Sequence, residues 1–349
     1  MPHILASRTA FAPHAVPQAV VKAAVGQLFA GRMDELPRLL GVFENSRITS
    51  RRLMMPLDWY RQAASVAERN RIYQQQGGEL LVAAAGAALQ GAGLAAEQID
   101  QVIFVSSTGL ATPTLDVRLI DALGLRRDVS RLPLWGLGCA AGASALARAC
   151  DYCLAHPAAR VLVTALECCS LNFIPGDSSR KNLIATAHFS DGAAAAVVAG
   201  DEAAGGGVPI LATRSCLLPG CSNIMGWDFR DEGMILVLSP RLPVLVKEFL
   251  APQVDGLLAQ ARVERAAVAH YLLHPGGAKI IDACRAALDL DKTELALSES
   301  ELNRHGNTSS VSVLAVLADW LEDERRRPGY GVLGAFGPGF SIELLLLRS

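Results

Sequence analysis

Two rounds of alternating strand-like and helix-like segments constrain the fold of this chain more than any other feature. In the first round, the short apolar run 101–107 suits a buried strand, and residues 79–90 form an amphipathic helical pattern. The alternation starts again with the strand-like run 268–273 and ends on the apolar run 342–347. Strands that alternate with helices are typical of α/β architecture. The sequence therefore predicts an α/β protein with two similar halves.

A glycine-rich stretch, AAGGGVP at 203–209, separates the two rounds. Glycine and proline interrupt both helical and strand patterns. We therefore predict an N-terminal half at 1–205 and a C-terminal half at 206–349. With 349 residues, the chain is long enough for two such units around a sizeable buried core.

Composition and charge narrow the class of protein. Hydrophobic residues make up 51% of the sequence and charged residues 19%, which excludes a disordered chain. A formal net charge of −2 offers no field that would attract nucleic acid. No apolar run reaches about 18 residues, and the start MPHILASRTAFAP lacks the features of an export signal. We expect a cytoplasmic protein that neither spans a membrane nor binds nucleic acid.

The chain contains eight cysteines, and without an export signal a disulfide framework is not expected. Cys150 and Cys153 have a spacing that metal ligands also show, but no second pair of ligands lies nearby in the sequence. On a helix these two thiols share one face. This favours buried structural thiols over a metal or redox site.

Cys139 is the first candidate for chemistry. The segment WGLGCAAGAS at 135–144 places it between a glycine turn and a helix of small side chains. Free N–H groups and the helix dipole at such a position favour a thiolate. The same segment also suits a buried cysteine that opens a core helix, and by itself it leaves both interpretations open.

A histidine and an asparagine supply the partners that a reactive cysteine needs. His274 ends the apolar run HYLLH, so we expect it to face a cleft, where Gly276 and Gly277 allow a ligand to approach the backbone. Asn307 precedes a helix in HGNTSS, where it also suits a plain cap or turn. An imidazole can hold a cysteine as a thiolate. Imidazole and amide donors together can stabilise an oxyanion or enolate.

Five segments, in order along the chain, resemble type III polyketide synthases, the chalcone and stilbene synthase-like group with the thiolase fold. These are GLGCAAGA around the cysteine, FSDGAAA at 189–195, HPGG at 274–277, GNTSS at 306–310 and GAFGPGFSIE at 334–343. The last is highly specific, and it departs from the usual GFGPG only by Ala335. The resemblance runs from about Arg51 to the C-terminus. It implies a five-layered αβαβα core made of two thiolase-like halves.

The resemblance also implies roles for single residues. Cys139 would carry the acyl chain, and His274 and Asn307 would complete a catalytic triad. Phe189 matches the phenylalanine between the coenzyme A tunnel and the cavity, and Thr112 would lie near the cavity of a dimer partner. Other cavity-lining positions are Ser107, Cys169, Asn172, Trp227, Leu236 and Ser309.

Coenzyme A contacts are expected near the N-terminus, where plant members of the family hold its phosphates with lysines. Arginine guanidinium groups can bind phosphate in bidentate fashion. The residues in the corresponding region are Arg38, Arg47, Arg51 and Arg52, and we add Gly276 and Gly277 to the expected coenzyme A site.

The implied reaction is an iterative condensation. An acyl-coenzyme A starter acylates Cys139, malonyl-coenzyme A loses carbon dioxide, and the resulting enolate extends the chain. The product closes to an alkylpyrone, an alkylresorcinol or a related phenol. The reaction needs no metal or organic cofactor, and the family implies a homodimer. The aliphatic Leu236 favours a medium or long fatty acyl starter, whereas the bulky Trp227 would equally shorten the cavity.

Three other functions fit parts of the sequence. A 3-ketoacyl-carrier-protein synthase III shares the fold and the triad, but the HPGG and FGPG segments speak against it. A papain-like protease has the same order of residues, with 135 positions from Cys139 to His274, but the context of the cysteine differs. A non-catalytic scaffold with the thiolase fold would not need all three triad residue types. The sequence favours the polyketide synthase.

Overall fold

The computed structural model describes residues 1–324 and 326–349. The strands are β1 (His3–Phe11), β2 (His14–Pro17), β3 (Ser50–Leu53), β4 (Gln101–Val105), β5 (Ser130–Leu134), β6 (Arg160–Cys168), β7 (Asp191–Ala199), β8 (Val208–Leu217), β9 (Met225–Arg230), β10 (Gly233–Leu238), β11 (Val268–Leu273), β12 (Tyr330–Gly337) and β13 (Ser341–Arg348). The helices are α1 (Gln18–Phe29), α2 (Leu36–Leu39), α3 (Gly41–Asn45), α4 (Val66–Ile72), α5 (Gly78–Gly91), α6 (Asp116–Leu123), α7 (Ala141–Ala155), α8 (Arg180–His188), α9 (Leu242–Ala261), α10 (Ala278–Leu288), α11 (Ala296–His305) and α12 (Ser310–Glu322).

The principal sheet formed by the described residues has nine strands, in the order β11-β12-β13-β8-β1-β7-β6-β4-β5. Strand β1 pairs with β7 along its whole length, but it meets β8 only through His3 and Ile4. The sheet therefore consists of two parts that are joined at the narrow contact between β1 and β8.

The two parts of the sheet repeat one pattern of pairing. In the N-terminal part, β7 is antiparallel to β1 and β6, and β6 is parallel to β4. In the C-terminal part, β13 is antiparallel to β8 and β12, and β12 is parallel to β11. Helices α7 and α12 are equivalent as well. Helix α7 precedes β6 and α12 precedes β12, and each of these strands is the third from the junction of β1 and β8. This repeat explains the two rounds in the sequence.

Helices α7 and α12 form the middle layer of the molecule. They contact each other, and their side chains share one buried cluster with both parts of the sheet. Helices α5 and α6 cover the outer face of the N-terminal part, and α9 and α10 cover the C-terminal part. The five-layered αβαβα arrangement expected from the sequence is thereby confirmed.

Small side chains allow the middle helices to approach each other closely. A Cβ atom at Gly142 of α7 would lie 2.3 Å from the carbonyl oxygen of Ser310 in α12. Glycine is the residue that permits such an approach of two backbones. The close contact brings the start of α7, which follows Cys139, next to the start of α12, which follows Asn307.

The predicted segments within the two rounds agree with the structure to within two residues at each end. Residues 79–90 fall in α5, 101–107 in and just after β4, 268–273 in β11 and 342–347 in β13. The glycine-rich stretch at 203–209 lies in the connection from β7 to β8 and at the start of β8. The domain limits at 205 and 206 stay a prediction.

Two further observations concern the membrane and the cysteines. Of the helices in the described part of the chain, none has the length and apolar character needed to cross a membrane. Cys150 and Cys153 are both buried in α7, and the Sγ of Cys153 lies 3.8 Å from the carbonyl oxygens of Ala159 and Val198. These contacts describe a thiol packed in the core.

Candidate active site

Cys139 lies where the chain passes from β5 into the central helix α7. Residues Gly138–Ala140 form a short 3-10 turn, and α7 begins at Ala141. The turn has φ values of 90° at Gly136 and 48° at Gly138, which glycine adopts without strain. The N–H of Gly138 donates to Ser107 Oγ at 3.2 Å. The predicted position of the cysteine at a helix N-terminus is confirmed.

Ser309 and Asn307 reach Cys139 from the turn that leads into α12. The Sγ of Cys139 lies 3.5 Å from Ser309 Oγ. Ser309 has φ 53° and ψ −125°, a region that a residue with a side chain rarely occupies. Its N–H donates to Asn307 Oδ1 at 2.8 Å, which holds the turn in place. Such strain is typical of functional sites, where the surroundings enforce it.

Asn307 connects Cys139 to the loop that follows His274. A hydrogen bond from the Asn307 side chain offsets a small part of the rise that burial causes in the pKa of Cys139. The Nδ2 of Asn307 also donates to the carbonyl oxygen of Gly276 at 3.2 Å. His274 itself is positioned by its N–H, which donates to the carbonyl oxygen of Gly334 in β12 at 2.8 Å. The three predicted triad residues therefore belong to one connected set of backbone and side-chain contacts.

The ring of His274 is buried, and neither Nδ1 nor Nε2 has a hydrogen-bond partner within the described part of the chain. Burial lowers its pKa to about 3. Leaving buried polar atoms unpaired is costly, and it is common where a substrate supplies the missing partner. The ring is therefore a neutral imidazole with two free nitrogen atoms.

Burial also governs the protonation of Cys139. It raises the pKa of the thiol to about 11, with a smaller contribution from the negative charge of Glu167, while Ser309 and Asn307 act in the opposite direction. The rise from 9.0 corresponds to about 3 kcal/mol, whereas a helix terminus offers about 0.3–1 kcal/mol. Burial therefore opposes the helix dipole at this cysteine, and the thiolate expected from the sequence stays a prediction.

Glu167 is a buried carboxyl group that the sequence analysis missed. It lies in β6 near its end, and its Oε2 accepts from Ser107 N at 3.1 Å and from Thr108 Oγ1 at 2.8 Å. Its Oε1 accepts from Ser310 Oγ at 2.6 Å. Burial raises its pKa to about 7, because these hydrogen bonds offset only part of the cost of a buried charge. The only signal in the sequence was an acidic residue within the apolar run 161–168.

We expect Glu167→Gln to stabilise the protein at pH 8 and to have little effect at pH 4. A carboxyl group whose pKa rises from 4.5 to about 7 on folding favours the folded state only while it is protonated, so this stability is lost as pH rises through that range. Glutamine has the same shape and stays neutral. At pH 8 the substitution should therefore raise the free energy of unfolding by up to about 3 kcal/mol. Urea unfolding at both values of pH measures the difference. A variant no more stable than the wild type at pH 8 would contradict this account.

An apolar pocket lies next to the turn that contains Asn307, and most of the predicted cavity residues line it. The ring of Phe189 lies 6.5 Å from the ring of Trp227, and residue 189 forms a backbone bridge with Asn307. Helix α1 closes the opposite side with Val21, Val25 and Leu28. The predicted residues that line this pocket are Cys169, Asn172, Phe189, Trp227 and Leu236.

The other three predicted cavity residues lie elsewhere. Ser107 and Ser309 contact the Cys139 segment directly, as described above. Thr112 is exposed on the loop from β4 to α6 and does not line the pocket of its own chain.

The predicted coenzyme A arginines have different surroundings. Arg51 is only 2% exposed, and its guanidinium donates to the carbonyl oxygens of Phe189, at 2.8 Å, and of Thr186. Arg47 forms a two-pronged ion pair with Asp282, at 2.9 and 2.7 Å. Arg38 is largely exposed. Gly276 and Gly277 precede α10 directly.

Two family models match most of the chain. The model for the N-terminal domain of chalcone and stilbene synthases matches residues 55–202, and the model for the C-terminal domain matches residues 210–349. These two matches cover the segments that contain Cys139, His274 and Asn307.

Individual relatives match over nearly their full length. A putative chalcone synthase of Bacillus subtilis is 39% identical over 331 residues, which is 91% of each chain. The 1,3,6,8-tetrahydroxynaphthalene synthase of Streptomyces peucetius is 36% identical over 349 residues, covering 99% of this chain and 92% of that protein. The crystal structure of 1,3,6,8-tetrahydroxynaphthalene synthase from Streptomyces coelicolor, a bacterial type III polyketide synthase, matches with a TM-score of 0.94 at 29% identity over 99% of both chains.

Proposed function

Because this chain belongs to the chalcone and stilbene synthase family of type III polyketide synthases, we propose that Cys139, His274 and Asn307 catalyse its reaction. The enzyme is an acyltransferase that condenses malonyl-coenzyme A units onto an acyl-coenzyme A starter. Membership of this family excludes the papain-like protease and the carrier-protein-dependent synthase, and the family is enzymatic, which excludes the scaffold. The connected contacts from Cys139 through Asn307 to the His274 loop support the residue roles most directly.

The first step in this proposal loads the starter. Neutral His274 accepts the proton of the Cys139 thiol, and the sulfur attacks the carbonyl carbon of the starter thioester. The carbon–sulfur bond to coenzyme A breaks, and the imidazolium returns its proton to the departing thiolate. A neutral imidazole is the form that can act as a base. Burial keeps the ring in this neutral form.

The second step forms the nucleophilic carbon. The carboxylate of malonyl-coenzyme A leaves as carbon dioxide, and its bonding electrons move onto the thioester as an enolate. Donors that face the enolate oxygen in a dry site stabilise this charge most strongly. The N–H of the buried His274 ring and the Nδ2 of Asn307 are suited to this task.

The third step joins the two units. The enolate carbon attacks the acyl group on Cys139, a carbon–carbon bond forms, and the carbon–sulfur bond to Cys139 breaks. The chain, now two carbons longer, is held by coenzyme A and can acylate Cys139 again. After several rounds the linear product cyclises to a pyrone or a phenol.

We propose an aliphatic acyl group as the starter, leading to an alkylpyrone, alkylresorcinol or related phenol. The pocket beside Phe189 supports this choice, since its walls include side chains of valine, leucine, isoleucine and methionine from α1, β3 and β10. An apolar pocket favours the binding of an apolar acyl chain, and each buried CH₂ group contributes about 0.8 kcal/mol to the free energy of binding. Trp227 would limit the length of the chain that fits.

A panel of starters tests the proposed function. With malonyl-coenzyme A, we expect hexanoyl-, octanoyl- or dodecanoyl-coenzyme A to give pyrones or phenols, at a kcat/KM about tenfold above that for benzoyl-coenzyme A. Mass spectrometry of the products and measured release of carbon dioxide provide the readout. No release of carbon dioxide with any starter would contradict the proposal, and a preference for benzoyl-coenzyme A would contradict the choice of starter.

We propose that coenzyme A binds near the start of α10, with Gly276 and Gly277 against its pantetheine arm and Arg38 near its phosphates. The exposure of Arg38 supports this, and Arg47 would join it only by leaving Asp282. For Arg51 we propose instead that it positions the Phe189 segment, since its donors face backbone carbonyls. That the reaction needs no metal or organic cofactor stays a prediction. Measuring the activity after dialysis against a chelator tests it.

We also propose a homodimer in the cytoplasm. Strand β5 is at the end of the sheet, and Trp135, which follows it directly, is 51% exposed, as is Leu110 after β4, at 54%. An unpaired edge strand next to exposed apolar side chains suits contact with a second copy, across which Thr112 would reach the partner's cavity. Sedimentation as a monomer at micromolar concentration would contradict the dimer, and fractionation of cells tests the location.

A further inference from the structure

Two of the walls of the starter pocket face each other across its predicted cavity residues. One wall is the hairpin β9–β10, a separate two-stranded sheet. Trp227 and Leu236 are directly opposite each other in this hairpin, and both line the pocket. The other wall is the 3-10 turn Cys169–Asn172, whose first and last residues also line it. The width of the pocket therefore depends on how the hairpin is held against this turn.

Arg69 of helix α4 contacts both walls at once. Its Nη2 donates to the carbonyl oxygen of Glu232 in the turn of the hairpin. Its Nη1 lies 3.5 Å from the carbonyl oxygen of Leu171 in the 3-10 turn. A guanidinium is planar and offers N–H donors in several fixed directions. When it binds two carbonyl groups, its rigid geometry therefore fixes the distance between them.

The surroundings of Arg69 are unusual for a positive charge. The residue is only 8% exposed, and its Nε has no hydrogen-bond partner among the residues that the structure describes. Burial lowers its pKa, and no carboxylate offsets this cost. A buried charge without a counter-ion does not favour stability.

Gly233 shows how closely the hairpin fits around this side chain. It has φ 132°, and a Cβ atom there would lie 2.7 Å from Arg69 Nη2. Both the backbone conformation and the space therefore require glycine. The hairpin turn is shaped to receive the guanidinium.

We propose that Arg69 is a positioning residue that holds the β9–β10 hairpin against the Cys169–Asn172 turn and thereby sets the length of acyl starter that the enzyme accepts. This inference rests on the starter pocket of the proposed function. Without Arg69, two carbonyl groups lose their donor and the hairpin can move outward. The pocket then widens around Trp227, while Cys139, His274 and Asn307, which lie outside the hairpin, keep their arrangement.

The test compares Arg69→Met with Arg71→Met, a matched change at an exposed position of the same helix. For Arg69→Met, we expect the ratio of kcat/KM for dodecanoyl- over hexanoyl-coenzyme A to change about tenfold, in favour of the longer chain. Release of carbon dioxide from malonyl-coenzyme A should stay within about twofold of the wild type. Arg69→Lys, with a single donor group, should restore part of the wild-type ratio, and Arg71→Met should leave it unchanged.

Gly233→Ala disturbs the same contact from the hairpin, and it provides the test if Arg69→Met does not fold. It should shift the starter ratio in the same direction, and the double variant should shift it no further, because both changes remove one interaction. A wild-type ratio in folded Arg69→Met or Gly233→Ala overturns the inference, and so does an equal shift in Arg71→Met.

Hydrogen exchange separates this inference from the proposed function. Amides at 225–238 should exchange about tenfold faster in Arg69→Met than in Arg71→Met, with α7 and α12 unchanged. If the wild type makes no polyketide from any starter, the proposed function fails, and the exchange result still decides whether Arg69 holds the hairpin. Equal exchange in the two variants overturns that role.

Discussion

Cys139→Ala is expected to lower polyketide formation by at least about 10⁴-fold. The sulfur is the atom that accepts the starter, and alanine has no group that can form a thioester. Cys139 is preceded by a turn that depends on Gly136 and Gly138, and alanine fits the helix start that follows, so the fold should be retained. Product formation, followed by mass spectrometry with malonyl-coenzyme A and an acyl-coenzyme A, measures the effect.

Intact-protein mass spectrometry provides the control for this result. After incubation with the starter alone, the wild type should gain the mass of one acyl group, and Cys139→Ala should not. Cys216→Ala, which changes a partly exposed cysteine of β8, should be acylated like the wild type. An acylated Cys139→Ala protein, or equal product from both proteins, would show that Cys139 is not the nucleophile.

Asn307→Asp is expected to slow the release of carbon dioxide from malonyl-coenzyme A by about 10²–10³-fold, the effect of losing one donor to an oxyanion. Aspartate keeps the oxygen that accepts from Ser309 N, so the turn before α12 should be retained. It lacks the N–H donor of Nδ2, and its charge opposes the enolate. The variant therefore separates the chemical role of Asn307 from its structural one.

The matched control is Asn303→Asp, the same change in the neighbouring helix α11, where Nδ2 donates to the carbonyl oxygen of Arg47. This control should release carbon dioxide at the wild-type rate. Acylation of Cys139 by the starter should remain detectable in Asn307→Asp, because His274 is still present as the base. Release of carbon dioxide at the wild-type rate by Asn307→Asp would remove Asn307 from the proposed mechanism.

Much of the fold was predictable because its signals are local. The buried strands β4, β11 and β13 are short apolar runs, and α5 shows a helical period, so their type follows from neighbouring residues. Strand β1 was missed, since HILASRTAF alternates poorly and its burial comes from α12 and β7, which lie far away in the sequence. The hairpin β9–β10 was missed as well.

The site was predictable to a different degree at each residue. Cys139, His274 and Asn307 stood out because each is a reactive or polar residue beside a glycine turn. Glu167 and Arg69 did not stand out, since an acidic residue in an apolar strand and an arginine in a short helix have no distinctive local pattern. Arg51 was expected to contact coenzyme A and is buried in the structure. Its contacts are with residues more than a hundred positions away.

The sequence by itself determined the class of architecture, the family and the reactive groups available, because these depend on residue type and order. The tertiary structure decided their chemical state. Burial lowers the pKa of His274 and raises the pKa of Cys139, the latter in opposition to the helix dipole that the local sequence suggested. It also decided which arginines remain free for a ligand. Desolvation and long-range contacts arise only when distant segments pack together, so no local pattern reveals them.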